Sequence, residues 1–154
     1  MSVSYRATMD TCHRHATLLA WSKNQLAPRL PFDPQELENL TPMDLAVLDQ
    51  FSMRFSRLQD AMGTRLFPMI LELTKEPGEL TLIDKLHRLE KIGAIVSADA
   101  WLDLREIRNN FAHDYPQEPE ERAALLNQAF DAADSLLQAL EHADRFASRY
   151  VREN

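Results

Sequence analysis

Residues able to cleave a phosphodiester are concentrated near the end of one predicted helix. Arg108, Asn109 and His113 fall within a short stretch of the chain. A neutral imidazole can remove the proton of a ribose 2′-hydroxyl, because the ordinary pKa of histidine lies near physiological pH. An arginine can hold a phosphate through two parallel hydrogen bonds and stabilise the charge of the transition state. We therefore consider His113 as general base or acid and Arg108 as phosphate clamp.

Helical spacing decides which of these side chains can meet. Asn109 and His113 are four residues apart and stack on one face of a helix, as do Arg105 and Asn109. Arg108 and His113 are five residues apart, which is about 140° of rotation on a continuous helix, so they do not stack. A long arginine can still lean toward the imidazole where the helix ends. We expect Asn109 to orient His113 and Arg105 to act as an auxiliary cation.

A structural interpretation of the same segment stays open. The helix dipole favours a histidine near a helix C-terminus whether or not it has a catalytic role. Arginines at helix ends often only form ion pairs with an acidic neighbour. The spacing alone does not separate these two interpretations.

A second group of basic residues lies on the predicted third helix. Lys85, Arg88 and Lys91 are spaced three apart and share a face, within the only net positive stretch, residues 54–91. This face is either a solvated surface or one wall of a phosphate-binding groove. The groove requires the fourth helix to pack beside it, and the three residues would then contact a nucleic-acid backbone.

Prolines and helix caps define the elements that must position these side chains. A first helix is expected over 4–27, followed by a proline-rich linker over about 28–42. Thr41 caps the second helix, whose apolar residues recur every three or four positions. Gly63 and Pro68 interrupt this apolar stripe and predict either a kink or two shorter helices.

Three more helices follow, so the pattern predicts a helical bundle. Thr81 caps the third helix, which Gly93 ends; Ser97 caps the fourth, and the fifth begins near Pro119. We find no alternating pattern typical of a strand. The sequence therefore predicts one all-α domain over 1–154, an up-and-down bundle of four to five helices.

Composition excludes several classes of protein. The 154 residues include three glycines, Gly63, Gly78 and Gly93, which are too far apart for a Rossmann or P-loop phosphate loop and too few for the tight turns of an all-β chain. The net charge of −7 means that RNA binding requires a local cationic patch. The sequence shows neither a signal peptide nor an apolar run of membrane-spanning length, so we expect a soluble, cytoplasmic protein without membrane association. Cys12, His13 and His15 lack further ligands at a zinc spacing, so we expect no metal and no cofactor.

The run from Arg108 to His113 resembles the Arg-x4-His signature of the HEPN superfamily, in which a polar residue such as Asn109 commonly follows the arginine. With Tyr115 the run resembles the Arg-x4-His-x-Tyr form of HepT-type toxins. The position of the motif is also similar to that in HEPN proteins, because the motif ends the penultimate helix and precedes a final amphipathic helix. The resemblance covers about residues 41–150.

This resemblance implies a fold, an activity and partners. HEPN proteins are helical bundles that usually form homodimers, which bring two Arg/His sets close to a two-fold axis around one phosphate. Many are metal-independent endoribonucleases that cut RNA. HepT-type toxins pair with an MntA-like minimal nucleotidyltransferase antitoxin, which transfers AMP to the motif tyrosine, here Tyr115.

We therefore predict an endoribonuclease toxin of a HEPN/nucleotidyltransferase pair, with Arg108, Asn109 and His113 in catalysis. A rival from another class uses the same polar residues. In it the chain is a non-catalytic nucleotide- or nucleotidyltransferase-binding partner, and the negative net charge slightly favours this rival. A third interpretation is a structural dimer whose helix-end polar groups are merely satisfied.

Overall fold

In a computed structural model, which describes residues 2–76 and 80–152, every regular element is helical. The prediction of an all-α fold is confirmed. The predicted domain also includes residues 1, 77–79 and 153–154, which lie outside the described part. The elements in chain order are α1 (Ser2–Leu26), a 3-10 turn (Ala27–Arg29), α2 (Pro34–Glu38), α3 (Pro42–Ala61), a π-helical turn (Met62–Leu66), α4 (Phe67–Leu73), α5 (Leu82–Ile92), α6 (Ala98–Ala112) and α7 (Pro119–Arg152).

The predicted caps begin and end these helices. Thr41 Oγ1 accepts a hydrogen bond from the Asp44 N–H at 3.1 Å, and the Asp44 carboxylate accepts one from the Thr41 N–H. The two bonds form a capping box. Thr81 and Ser97 cap α5 and α6 through the same side-chain bond to the third following N–H. Gly93 ends α5 with φ at 90°, a left-handed conformation that favours glycine.

Where the sequence predicts either a kink or two shorter helices, between Gly63 and Pro68, the structure has a π-helical turn that joins α3 to α4. Within Met62–Leu66 the helix widens, and the Phe67 N–H bonds to the Met62 carbonyl, five residues back. Proline has no N–H for the usual bond four residues back, so a widened turn lets the helix continue into α4 without a break. The π-helical turn thus connects α3 directly to α4.

The proline-rich linker over about 28–42 contains a short helix and is held against α7. Asp33 caps a short helix, α2, by accepting the Glu36 N–H at 2.7 Å. The side-chain amide of Asn127 on α7 bonds both the N–H and the carbonyl of Phe32, at 2.7 and 2.9 Å. Phe32 is buried, and its ring packs edge-on against Phe130. These contacts come from a residue far along the chain, which the local proline pattern does not reveal.

The hydrophobic core lies where α1, α3, α6 and α7 meet. Phe51 of α3 stacks on Phe130 of α7 with ring centroids 4.0 Å apart. Phe55, one turn further along α3, meets Phe111 of α6 edge-on. This packing brings the C-terminal end of α6 against the second half of α3.

Candidate functional site

The buried face of α6 positions the polar residues at its end. Trp101, Leu104 and Ile107 are buried, and Phe111 packs on Phe55. Their spacing of three and four residues holds one side of α6 against the core. Arg108, next to Ile107, is therefore directed toward the neighbouring surface of α3.

Arg108 forms an ion pair with Asp60 of α3. Arg108 Nη2 donates to Asp60 Oδ2 at 2.9 Å, and Arg108 Nε lies 2.8 Å from Oδ1. The Nε atom is covered, and its hydrogen is out of line with Oδ1, so the Nη2 contact is the well-aligned bond of the pair. The acidic neighbour that the structural interpretation requires is thus present, and it holds the guanidinium in one direction.

The remaining side of the guanidinium faces His113. Arg108 Nη1 lies 3.2 Å from Asn109 Oδ1 and 3.5 Å from His113 Nε2, the second distance being at the outer limit of a hydrogen bond. An arginine only donates, so this contact requires the neutral imidazole with its proton on Nδ1. An unprotonated Nε2 is the state of histidine that can act as a base.

The end of α6 explains how two residues five positions apart come together. The helix ends at Ala112, and His113 is the C-cap residue with φ −127°, outside helical geometry. Its N–H still bonds the Asn109 carbonyl at 2.8 Å, which keeps the backbone close to the last turn. The imidazole is therefore free of the rotation that a continuous helix would impose and lies beside Arg108.

A groove of about 270 Å³ opens beside Arg108. Arg105 and Asn109 line it from α6, and the π-helical turn contributes Gly63 and Thr64. A Cβ at Gly63 would lie 3.5 Å from the Trp101 ring, an ordinary van der Waals contact. The complete lining is Gln59, Asp60, Gly63, Thr64, Leu82, Trp101, Arg105, Arg108 and Asn109.

The sequence did not point to three polar residues of this groove, Gln59, Asp60 and Thr64. Gln59 of α3 is 4% exposed. Asp60 is the partner of Arg108. The available signal for Gln59 was an amide at a core position of the α3 stripe, next to Leu58. No local signal marked Asp60, since its partner lies on another helix.

Tyr115 lies on the same end of the molecule, packed against α6. Its ring contacts Phe111 at 6.4 Å between centroids and is 41% exposed. Burial raises the pKa of its hydroxyl; the nearby Arg122 lowers that pKa and Asp49 raises it. The phenol therefore stays protonated at neutral pH.

The basic face of α5 does not join the groove. Arg88 pairs with Glu76 at 3.4 Å, and neither Lys85 nor Lys91 lines the space beside Arg108. Only Leu82 of α5 reaches it. Arg105, Arg108 and Asn109 therefore line one groove, whereas His113 lies outside the lining and is joined to it by the contact with Arg108. The three basic residues of α5 lie apart from this set.

No site for a metal ion is found in the described part of the chain, since no three His, Cys, Asp or Glu side chains cluster there. Cys12 is fully buried, and burial raises the pKa of its thiol to about 11. His13 lies 3.6 Å from Asp144, whereas His15 faces Arg54 of α3. The three N-terminal residues considered as ligands thus have separate surroundings.

Comparisons with known proteins neither support nor contradict the HEPN resemblance. No protein-family model matches the chain, and no curated protein or solved structure matches it significantly. Within 2–76 and 80–152, none of the helices is both long enough and apolar enough to cross a membrane.

Proposed function

We propose that this chain is a HEPN-like, metal-independent endoribonuclease with Arg108 and His113 at its active site. The observation that carries the proposal is the 3.5 Å contact between Arg108 Nη1 and His113 Nε2 beside an open groove. Beside this groove, the Arg108 guanidinium and an unprotonated nitrogen of His113 can contact the same phosphodiester. The motif Arg-x4-His, by which the chain resembles HEPN proteins, consists of these two residues.

The reaction is an intramolecular transesterification of RNA. His113 Nε2 removes the proton of a ribose 2′-hydroxyl, and the 2′-oxygen attacks the adjacent phosphorus. The bond from phosphorus to the 5′-oxygen breaks, and that oxygen receives a proton from a second acid. In a homodimer the second copy's protonated His113 supplies it. The products are a 2′,3′-cyclic phosphate and a 5′-hydroxyl.

Arg108 stabilises the charge that develops on the phosphate oxygens. The ion pair with Asp60 uses one Nη2 hydrogen and leaves the other for the substrate, and a phosphate oxygen would compete with Asn109 and His113 for Nη1. A donor that is held in place before the reaction contributes more than a mobile one, because it does not need to reorganise. Asn109 accepts from Nη1 and keeps it close to His113.

The experiment measures cleavage of single-stranded RNA by the purified chain in EDTA. We expect cleavage with cyclic-phosphate ends, and no cleavage of RNA that carries 2′-deoxyribose at the cut position. His113→Ala should abolish cutting while the helical circular-dichroism spectrum is unchanged. His87→Ala, on the exposed surface of α5, is the matched control and should cut normally. Cutting by His113→Ala at the normal rate would end the proposal.

As a toxin, this enzyme would be controlled by an MntA-like nucleotidyltransferase. The Tyr115 oxygen would attack the α-phosphorus of ATP, release pyrophosphate and lose its proton, leaving AMP on the phenol. The ring is 41% exposed beside the motif helix, which supports access. Co-expression with a neighbouring nucleotidyltransferase should add the mass of AMP to the tryptic peptide that contains Tyr115. An unmodified peptide would contradict this regulation and leave the nuclease proposal standing.

One observation favours a second candidate, a non-catalytic partner that binds a nucleotide. Arg108 already has a carboxylate partner in Asp60, so its position at the end of α6 does not require a catalytic role. In this case no RNA is cut under any condition, a nucleotide binds in the groove, and Arg108→Ala weakens its binding. Isothermal titration with ATP and AMP separates this outcome from the nuclease.

A further inference from the structure

A second arginine–histidine cluster lies on the other flank of α3. His15 Nδ1 of α1 lies 2.9 Å from Arg54 Nη1, and Arg54 Nε donates to Gln50 Oε1 at 3.3 Å. Arg57 follows Arg54 by one helical turn on α3, and Arg14 is next to His15 in sequence on α1. Burial lowers the pKa of His15, and the charges of Arg54, Arg57 and Arg14 lower it further. We call these four residues, Arg14, His15, Arg54 and Arg57, the arginine cluster.

The charge of the arginine cluster is not balanced by a carboxylate. Within the described residues, none of its arginines forms an ion pair with Asp or Glu, although the chain has 24 acidic residues and a net charge of −7. Three neighbouring cations repel one another, and a bound polyanion would relieve that repulsion. The bonds from Arg54 to His15 and Gln50 hold it in place before a ligand arrives.

An exposed tryptophan lies next to the cluster. Trp21 is 48% exposed and lines a shallow groove of about 510 Å³ between α1 and α3. Gln50 lines the same groove while it bonds Arg54, so the groove and the arginine cluster are in contact. Trp21 follows Arg14 by seven residues, two helical turns, which places both on one face about 10 Å apart. We call this space the Trp21 groove; its lining is Trp21, Met43, Ala46, Val47, Asp49, Gln50 and Met53.

Both features are continuous with the Arg108 site along the outer surface of α3. Arg57 precedes Asp60 by one helical turn, and Asp60 holds Arg108. At the other end, Asp49 lines the Trp21 groove and is close enough to Tyr115 to raise the pKa of its hydroxyl. A strand that enters the groove beside Arg108 would therefore cross α3 in reach of the arginine cluster.

We propose that the arginine cluster and the Trp21 groove bind the single-stranded RNA that flanks the cleaved phosphodiester. The arginines bind its backbone phosphates, and a base stacks on Trp21. This combination of a cationic surface with an exposed aromatic ring is typical of proteins that bind single strands without sequence preference. It also supplies the local cationic patch that an acidic chain needs. The proposal rests on the nuclease function in naming RNA as the ligand.

Binding is measured separately from cleavage, by fluorescence anisotropy of a labelled single-stranded RNA of about 12 nucleotides on His113→Ala in EDTA. In this His113→Ala parent, the further substitutions R54Q/R57Q should weaken RNA binding about tenfold or more. They should also reduce the slope of log affinity against log salt concentration by about 1.4. R145Q/R149Q on α7 changes the net charge equally and should bind as the parent does. Trp21→Leu should weaken RNA binding by about five- to 150-fold. Because Trp101 is buried, RNA should quench the fluorescence of Trp21, and Trp21→Leu should remove this quenching.

Cleavage by the otherwise unchanged chain then separates the two proposals. R54Q/R57Q should raise KM for the long RNA several-fold and leave cleavage of a dinucleotide, too short to reach the cluster, unchanged. If the parent binds RNA in a salt-dependent manner, the R54Q/R57Q and Trp21→Leu variants lose this binding, and no RNA is cleaved, the nuclease proposal fails. The inference about RNA binding then stands. Parent-like RNA affinity in both variants would overturn the inference. A changed oligomeric state with unchanged RNA affinity would also overturn it and assign this face to a second copy.

Discussion

Asp60 would affect the proposed binding of a phosphate at Arg108 in two ways. Its two oxygens contact Arg108 at 2.8 and 2.9 Å and reduce the positive charge available to a phosphate. The same contacts fix the direction of the guanidinium toward His113. Asp60 is therefore a positioning residue, and its effects on substrate binding and on the chemical step should have opposite signs.

This opposition predicts the kinetics of Asp60→Asn. Loss of the carboxylate charge frees Arg108 for the substrate, so KM for RNA should fall a few-fold. The guanidinium becomes less well oriented, so kcat should fall about tenfold. Steady-state cleavage of a fluorogenic RNA gives both constants. Asp103→Asn, on the exposed face of α6, is the control and should change neither. A variant with the kcat of the parent would refute the positioning role.

At the scale of elements, caps and the π-helical turn decide where the site residues lie. The capping box at Thr41 begins α3, the helix that carries Gln59 and Asp60. The π-helical turn then brings Gly63 and Thr64 to the groove beside Arg108. On the opposite side, the end of α6 at Ala112 releases His113 from helical geometry.

The capping box makes a specific contribution to stability. Thr41→Ala removes the side-chain acceptor of the Asp44 N–H and should lower the free energy of unfolding by about 1 kcal/mol. Urea denaturation followed at 222 nm measures this change. Thr17→Ala, at an exposed position inside α1, should change stability by no more than about 0.5 kcal/mol. Equal stability of the two variants would show that the capping box does not hold the start of α3.

For the whole molecule, aromatic packing joins segments that are distant in sequence. Phe130 of α7 stacks on Phe51 and meets Phe32 of the segment before α2 edge-on. Phe55 and Phe111 connect this cluster to α6, and Tyr115 continues it to the surface. The candidate site therefore lies on one end of a continuous aromatic core.

Phe130→Ala tests the importance of this core. Its ring is 1% exposed, and its removal leaves a cavity between three segments, so stability should fall by about 3–5 kcal/mol. Thermal and urea unfolding measure the loss, and Phe130→Leu should recover part of it. Val96→Ala, at a side chain that is 78% exposed, should stay within about 0.5 kcal/mol of the parent. A small effect of Phe130→Ala would mean that the core relaxes around the missing ring.

The sequence by itself determined the helical class, the caps at Thr41, Thr81 and Ser97, and the left-handed end at Gly93. These features depend on side chains and backbone groups within a few residues of one another, so local physics is enough to predict them. The polar set from Arg105 to His113 was recognised for the same reason. The HEPN resemblance and the activity remain predictions that cleavage assays will test.

Only the tertiary structure decided what surrounds that set. Asp60 and Arg108 are 48 residues apart, and the Asn127 side chain that orders Phe32 is 95 residues away from it. Such contacts depend on which helix faces pack together, and no local spacing encodes the partner of a given side chain. The approach of His113 to Arg108 also required the end of α6, because a continuous helix would have turned the two groups about 140° apart.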